Sequence, residues 1–159
     1  MLCETKGRQL RKALKSMLIT RRTDYAIRIM RTIAENDTRR PISVREVAER
    51  DSIPYQFARR IAYDLALKGL IKVTRGARGG AELSRPAEEI SLLEVINVGQ
   101  GDLKSSHCSL VGEKCENEDT CSVKIALEDL DILVNDYLNG LKLNKIIRAE
   151  EDRPYAIEG

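Results

Sequence analysis

Apolar residues return along this chain at helical spacing, interrupted once by a short stretch at strand spacing. From Thr23, the positions Ala26, Ile27, Met30, Ile33 and Ala34 share one face, which predicts a helix closed by Asn36-Asp37 ahead of Pro41. Ser43 and Glu46 form a capping-box pattern before a short helix over about 44–50, with Val47 and Ala48 inward. Asp51-Ser52-Ile53 makes a tight turn, and Pro54 suits the first turn of a third helix. That helix runs to about Lys68, with Phe57, Ala58, Ile61, Ala62 and Leu65 toward a core, and Gly69 stops it. Leu70–Thr74 then reads as a strand, 75–80 as a basic glycine-rich turn, and Ala81–Ser84 as a returning strand.

The second half begins with another capping box, Ser91 and Glu94, and a short helix to about Val98 that Gly99-Gln100-Gly101 breaks. A polar stretch from Asp102 to Thr120 is long for a plain connection. Ser122 is expected to cap a long helix in which Val123, Leu127, Leu130, Val134, Tyr137 and Leu141 alternate spacings of four and three, a heptad seam. Ala126 and Leu133 widen the stripe, enough for the helix to meet both a partner and its own domain. Asn139-Gly140 closes it, and Leu143, Ile146 and Ile147 suggest one more packed turn.

These elements predict a mainly α fold with a small β-wing: a winged helix-turn-helix domain followed by a long dimerisation helix. The expected parts are a basic extension at 1–16, the winged domain at 17–86, a short helix and cysteine loop at 87–121, the dimerisation helix and packing turn at 122–148, and a tail at 149–159. The extension is either an arm that seeks a DNA backbone or residues upstream of a start at Met17, and the second is the plainer reading. The second helix of a helix-turn-helix enters the major groove. There Gln56, Arg59, Arg60 and Tyr63 would project outward, and residue type leaves base reading and phosphate contact equally open. Arg75 or Arg78 of the wing could enter a minor groove. A phosphate cradle is the weaker reading of these glycines, because no helix follows them.

Charge sharpens this picture. Residues 1–85 hold 20 Lys/Arg against 9 Asp/Glu, whereas 86–159 hold 7 against 16, so the net charge of +2 hides a basic half and an acidic half. The basic half suits a nucleic acid. No apolar run approaches the ~18–20 residues of a membrane span. No signal-peptide pattern is present, so a cytoplasmic protein is expected. Nothing supports an enzyme: there is no nucleophile–base pair, no cofactor fingerprint, and one histidine.

Cysteines supply the remaining chemistry. Cys108, Cys115 and Cys121 are separated by six and five residues inside the acidic stretch; Cys3 stands alone. Three thiols leave one over in any disulfide scheme. Three thiolates can instead hold three corners of a metal or iron–sulfur site. A disulfide-forming thiol switch and a structural zinc site with His107 or Asp24 are the alternatives.

The order of parts resembles the winged-helix iron–sulfur regulators of the IscR/NsrR family, over about residues 17–147. The resemblance rests on Leu18-Ile19-Thr20, Thr23-Asp24-Tyr25-Ala26, Leu67-Lys68-Gly69-Leu70-Ile71, the wing from Arg75 to Leu83, Ile90–Ile96, and the three cysteines before the long helix. It implies a homodimer on a palindromic duplex operator, with base contacts from Gln56, Arg59 and Arg60, a wing contact from Arg75, and Tyr25 and Arg78 within the DNA-binding set. It also implies an iron–sulfur cluster, 4Fe–4S favoured and 2Fe–2S possible, that senses nitric oxide, redox state or iron–sulfur status. The six-and-five spacing departs from the commoner five-and-five. Lys124 occupies the position three past Cys121, where some members carry a histidine ligand. Members of the nitric-oxide-sensing branch use an aspartate of the first helix, which implies Cys108, Cys115, Cys121 and the partner subunit's Asp24 as ligands, with His107 as runner-up. By itself, Asp24 reads as a first-turn carboxylate stabilising its helix dipole.

Overall fold

Thr20 opens the first helix by accepting the Thr23 amide on its hydroxyl at 3.2 Å. The structure, a computed structural model, describes residues 19–36, 40–76, 79–103 and 121–147. Helix α1 spans Arg21–Glu35, α2 Val44–Arg50 and α3 Tyr55–Leu67. Strands β1 (Ile71–Thr74) and β2 (Gly80–Leu83) follow, then α4 (Leu92–Gln100), α5 (Ser122–Gly140) and α6 (Leu143–Ile147). The strands pair antiparallel, with Ile71 opposite Leu83 and Thr74 opposite Gly80. Ile42 adds a backbone bridge to Ala81, through bonds of 3.0 and 2.7 Å. The expected fold class, mainly helical with a two-stranded wing, is what the structure has.

Helix α1 lies at the centre. Its buried Ala26, Ile29, Met30 and Ile33 pack with Ile61 and Leu65 of α3, Leu70 and Ile71 at the wing, Val95 of α4 and Leu143 of α6 in one aliphatic core. That core continues past residue 86, so the helix-turn-helix rests on elements drawn from the acidic half as well.

Helices α1 and α4 approach each other closely. A Cβ placed on Gly99 would lie 2.6 Å from the Thr23 Cα, so only glycine lets the two backbones meet there. Beside it, the buried Thr23 hydroxyl donates to Gln100 Oε1 at 2.8 Å, and the Thr20 amide donates to the same oxygen at 3.0 Å. This corrects the expected break at Gly99: α4 continues to Gln100, and Gly101, at φ +82°, ends it.

Other helix ends also differ from expectation. Ser91 and Glu94 make the full capping box, but Ser43 and Glu46 make only half. The Glu46 carboxylate turns to Arg50 at 2.7 Å, a charge pair that outcompetes the neutral amide bond. Pro54, with ψ 127°, precedes α3 and leaves the helix to start at Tyr55. Cys121, not Ser122, is the residue that enters α5, and its side chain makes no cap bond.

Glu94 feels opposing effects. Burial pushes its carboxyl up, but the Ser91 amide and hydroxyl and the Arg85 guanidinium together hold it below the ordinary 4.5. A lowered folded value means this stabilisation is complete above 4.5 and is lost as pH falls below it, through the depressed folded value. Glu94→Gln should therefore melt below the parent protein at pH 7, and the gap should close in thermal melts taken at successively lower pH. Gly99→Ala should cost about 1–3 kcal/mol through overpacking against Thr23, measured as a shift in urea midpoint.

Candidate functional site

The turn between α2 and α3 is held by a buried carboxylate. Asp51, 8% exposed, accepts the Thr32 hydroxyl at 2.6 Å and an Arg31 guanidinium N–H at 3.0 Å. Both donors come from α1. The Ile53 amide closes the turn on Ala48 O at 2.8 Å, with Ser52 in the left-handed region at φ +53°. The pair α2–α3 is thus fixed to the central helix, with the N-terminal end of α3 exposed.

Gln56, Arg59, Arg60 and Tyr63 all lie exposed along α3, as the sequence predicts. Asp64 gathers two arginines near them: Arg22 from α1 at 2.5 Å and Arg60 Nε at 3.4 Å. Arg45 of α2 stacks over the Tyr55 ring, its guanidinium carbon 4.6 Å from the centroid. On the wing, Arg75 is exposed directly after β1. Gly76 has φ +111°, and a Cβ on Gly80 would sit 2.6 Å from Ile42 O, so the glycines are what let this hairpin close against the body. Arg78 lies outside the described residues.

Phe57 is not in the core as its spacing suggests: it is 59% exposed. It stands at the edge of the apolar stripe, beside the fully buried Ala58. The ring instead meets Tyr25 edge-on, centroids 6.5 Å apart at 67°. Half-buried Tyr25 is thereby brought to the same end of α3. Sequence reading missed Arg22, Arg45 and Tyr55 as members of this surface; a basic residue at the start of each of α1 and α2 was the available signal.

On the acidic side, Cys121 is a half-buried free thiol immediately before α5. Asp24 pairs with Arg28 at 3.0 Å, both about half exposed. Lys124 lies near Glu128 at 3.9 Å. His107, Cys108 and Cys115 lie outside the described residues, and among the described residues no three His, Cys, Asp or Glu side chains converge as a metal site. Helix α5 has no buried residue. Leu127, Val134 and Leu138 are half-covered on the side toward its own chain, while Val123, Leu130, Leu133 and Tyr137 are exposed. The predicted seam is therefore divided between these two sides. Asn135 Nδ2 donates to Leu103 O at 3.3 Å, tying α5 to the point where the cysteine stretch begins.

The family model for Rrf2, "Iron-dependent Transcriptional regulator", matches residues 19–149. The chain belongs to the Rrf2 family. Among relatives, a Rhizobium meliloti protein named aau3 is 29% identical over 84% of this chain and 86% of its own length. The HTH-type transcriptional regulator IscR of Pectobacterium atrosepticum is 26% identical, over 85% and 82% respectively. The crystal structure of the oxidized form of Staphylococcus aureus CymR superposes with a TM-score of 0.64 at 27% identity, covering 82% of this chain and 96% of that one. This Rrf2 protein is accordingly a winged-helix, DNA-binding transcriptional regulator, not an enzyme. No helix among its described residues is long and apolar enough to cross a membrane.

Asp51 is the structural keystone of the exposed face. Asp51→Ala leaves the Thr32 hydroxyl without its acceptor and Arg31 with Glu35 alone, and should cost about 1–3 kcal/mol. It should also weaken duplex binding more than the stability loss accounts for, read by fluorescence anisotropy at a temperature where the variant is fully folded.

Proposed function

We propose that this Rrf2 regulator binds a palindromic operator as a cytoplasmic homodimer, and that an iron–sulfur cluster held by Cys108, Cys115, Cys121 and the partner subunit's Asp24 controls that binding. The observation that carries the reading is the three-cysteine stretch, which ends on Cys121 at the foot of α5, the helix with an uncovered apolar face. The iron dependence in the family description and the IscR relative support it.

The donors suit such a group. Cys121 is unpaired, and Asp24 is held by an exposed i,i+4 pair with Arg28, worth about 0.2–0.5 kcal/mol, which a ligand bond readily displaces. A bound cluster supplies redox and nitric-oxide chemistry, with its carboxylate-ligated corner the more exchangeable. The chain's own part is mechanical. Cys121 is continuous with α5, Asp24 is continuous with α1, and α1 holds Asp51 and hence α3. Joining Cys121 of one protomer to the partner subunit's Asp24 would set the spacing of the two recognition helices on successive major grooves. Gln56, Arg59 and Arg60 would meet bases or phosphates there, Arg75 and Arg78 would serve the wing contact, and Tyr25 would support the start of α3.

A thiol switch without a cluster is the second reading. The oxidized form of the CymR structure and the free Cys121 thiol favour it.

Anaerobic purification separates the two. The expected outcome is brown protein with iron and acid-labile sulfide in near-equal amounts. Asp24→Ala should lose cluster while keeping the apo-protein's melting temperature, and replacing the three cysteines with serine should abolish the response of DNA affinity to nitric oxide. Colourless, sulfide-free protein that still changes DNA affinity on oxidation would establish the thiol switch instead.

A further inference from the structure

A large aromatic ring left exposed on the first turn of a DNA-facing helix is placed to meet an apolar feature of the groove. Phe57 is such a ring. It is the third residue of α3, and helical side chains tilt toward the N-terminus, the end that a recognition helix presents to base edges. Tyr25 meets it edge-on and restricts its position, a contact worth about 0.5–1.5 kcal/mol beyond the area it buries. Gln56 precedes it, Arg59 and Arg60 follow on the same exposed face, and Arg45 stacks on Tyr55 two residues before it, giving this end of α3 a cationic character. Such a setting attracts a polyanion that also offers a small apolar target. In a duplex major groove that target is the thymine 5-methyl group, the one apolar feature among the base edges.

We propose that Phe57 is a specificity residue that reads a thymine methyl in each operator half-site. The inference rests on the major-groove placement of α3 proposed above and adds to it a base preference that no polar residue of the helix supplies.

The test uses the full chain. Wild-type protein selects a preferred duplex from a randomised pool at fixed salt. Each thymine of that duplex is then replaced singly by deoxyuridine, which removes the methyl and leaves every hydrogen-bonding group. One replacement per half-site should weaken wild-type binding about fourfold, as expected for one apolar carbon. Phe57→Ala should bind the thymine and deoxyuridine duplexes equally, whereas Phe57→Leu, still apolar, should retain part of the discrimination. Melting curves establish that both variants fold. Equal thymine discrimination by wild type and Phe57→Ala would overturn the proposal while leaving Gln56, Arg59 and Arg60 as groove contacts. A change in sedimentation mass for Phe57→Ala, with base preference intact, would assign the ring to a protein interface and overturn it as well. Failure of the wild type to enrich any duplex would instead remove the groove placement on which it depends.

Discussion

The contact between α1 and α4 at Thr23 and Gly99 is the constraint from which the rest of the structure follows. Backbones this close exclude any side chain larger than a hydrogen, and the small gap is sealed by Gln100 binding both Thr20 and Thr23. The geometry makes α1 a single rigid spine. Its N-terminal end carries Asp24 and Tyr25, its middle fills the core, and its far end presents Arg31 and Thr32 to Asp51. Helix α4 enters the same contact and then leads, through Gly101, into the cysteine stretch. The chain leading to the cysteine stretch and the turn before α3 are thus anchored on one packed body.

Helix α5 stands in contrast. It is the longest described helix, yet it buries no residue within its own chain. Isolated helices draw little stability from propensity alone and depend on packing an apolar face. Half of its predicted seam leans on its own domain, and the other half, from Val123 to Tyr137, faces outward. Exposed Ile125 and Ile132 lie apart from that seam and were not foreseen. In the homodimer proposed above a second copy of the chain would cover the outward half, and Asn135 links the helix to Leu103 where the acidic stretch starts.

The basic face illustrates how charges are arranged for a polyanion without being wasted on one another. Asp64 neutralises part of Arg22 and Arg60 and keeps their side chains from dispersing, while Arg45 rests on Tyr55. An ordered arginine loses less freedom on meeting a phosphate or base than a mobile one. Phe57 interrupts this cationic surface with an apolar patch, and Tyr25 limits its freedom in the same way.

Much of this was legible in the chain alone. Three-four spacing marks α1, α2 and α3, the glycine-rich turn marks the wing, the heptads mark α5, and the order of motifs points to the family. Outward residues of α3 were also legible, because polar side chains opposite an apolar stripe have one place to go. The rest was decided by neighbours distant in sequence. Gly99 has the signature of a helix breaker, but Thr23, far away in sequence, turns it into a packing contact. Glu46 fits a capping box until Arg50 claims it. Phe57 keeps core spacing, yet its ring lies outside, edge-on to Tyr25. Periodicity records which face of an element is apolar; it does not record how closely another element approaches that face. That distance is set by the shapes of both partners, so it exists only once the chain has folded.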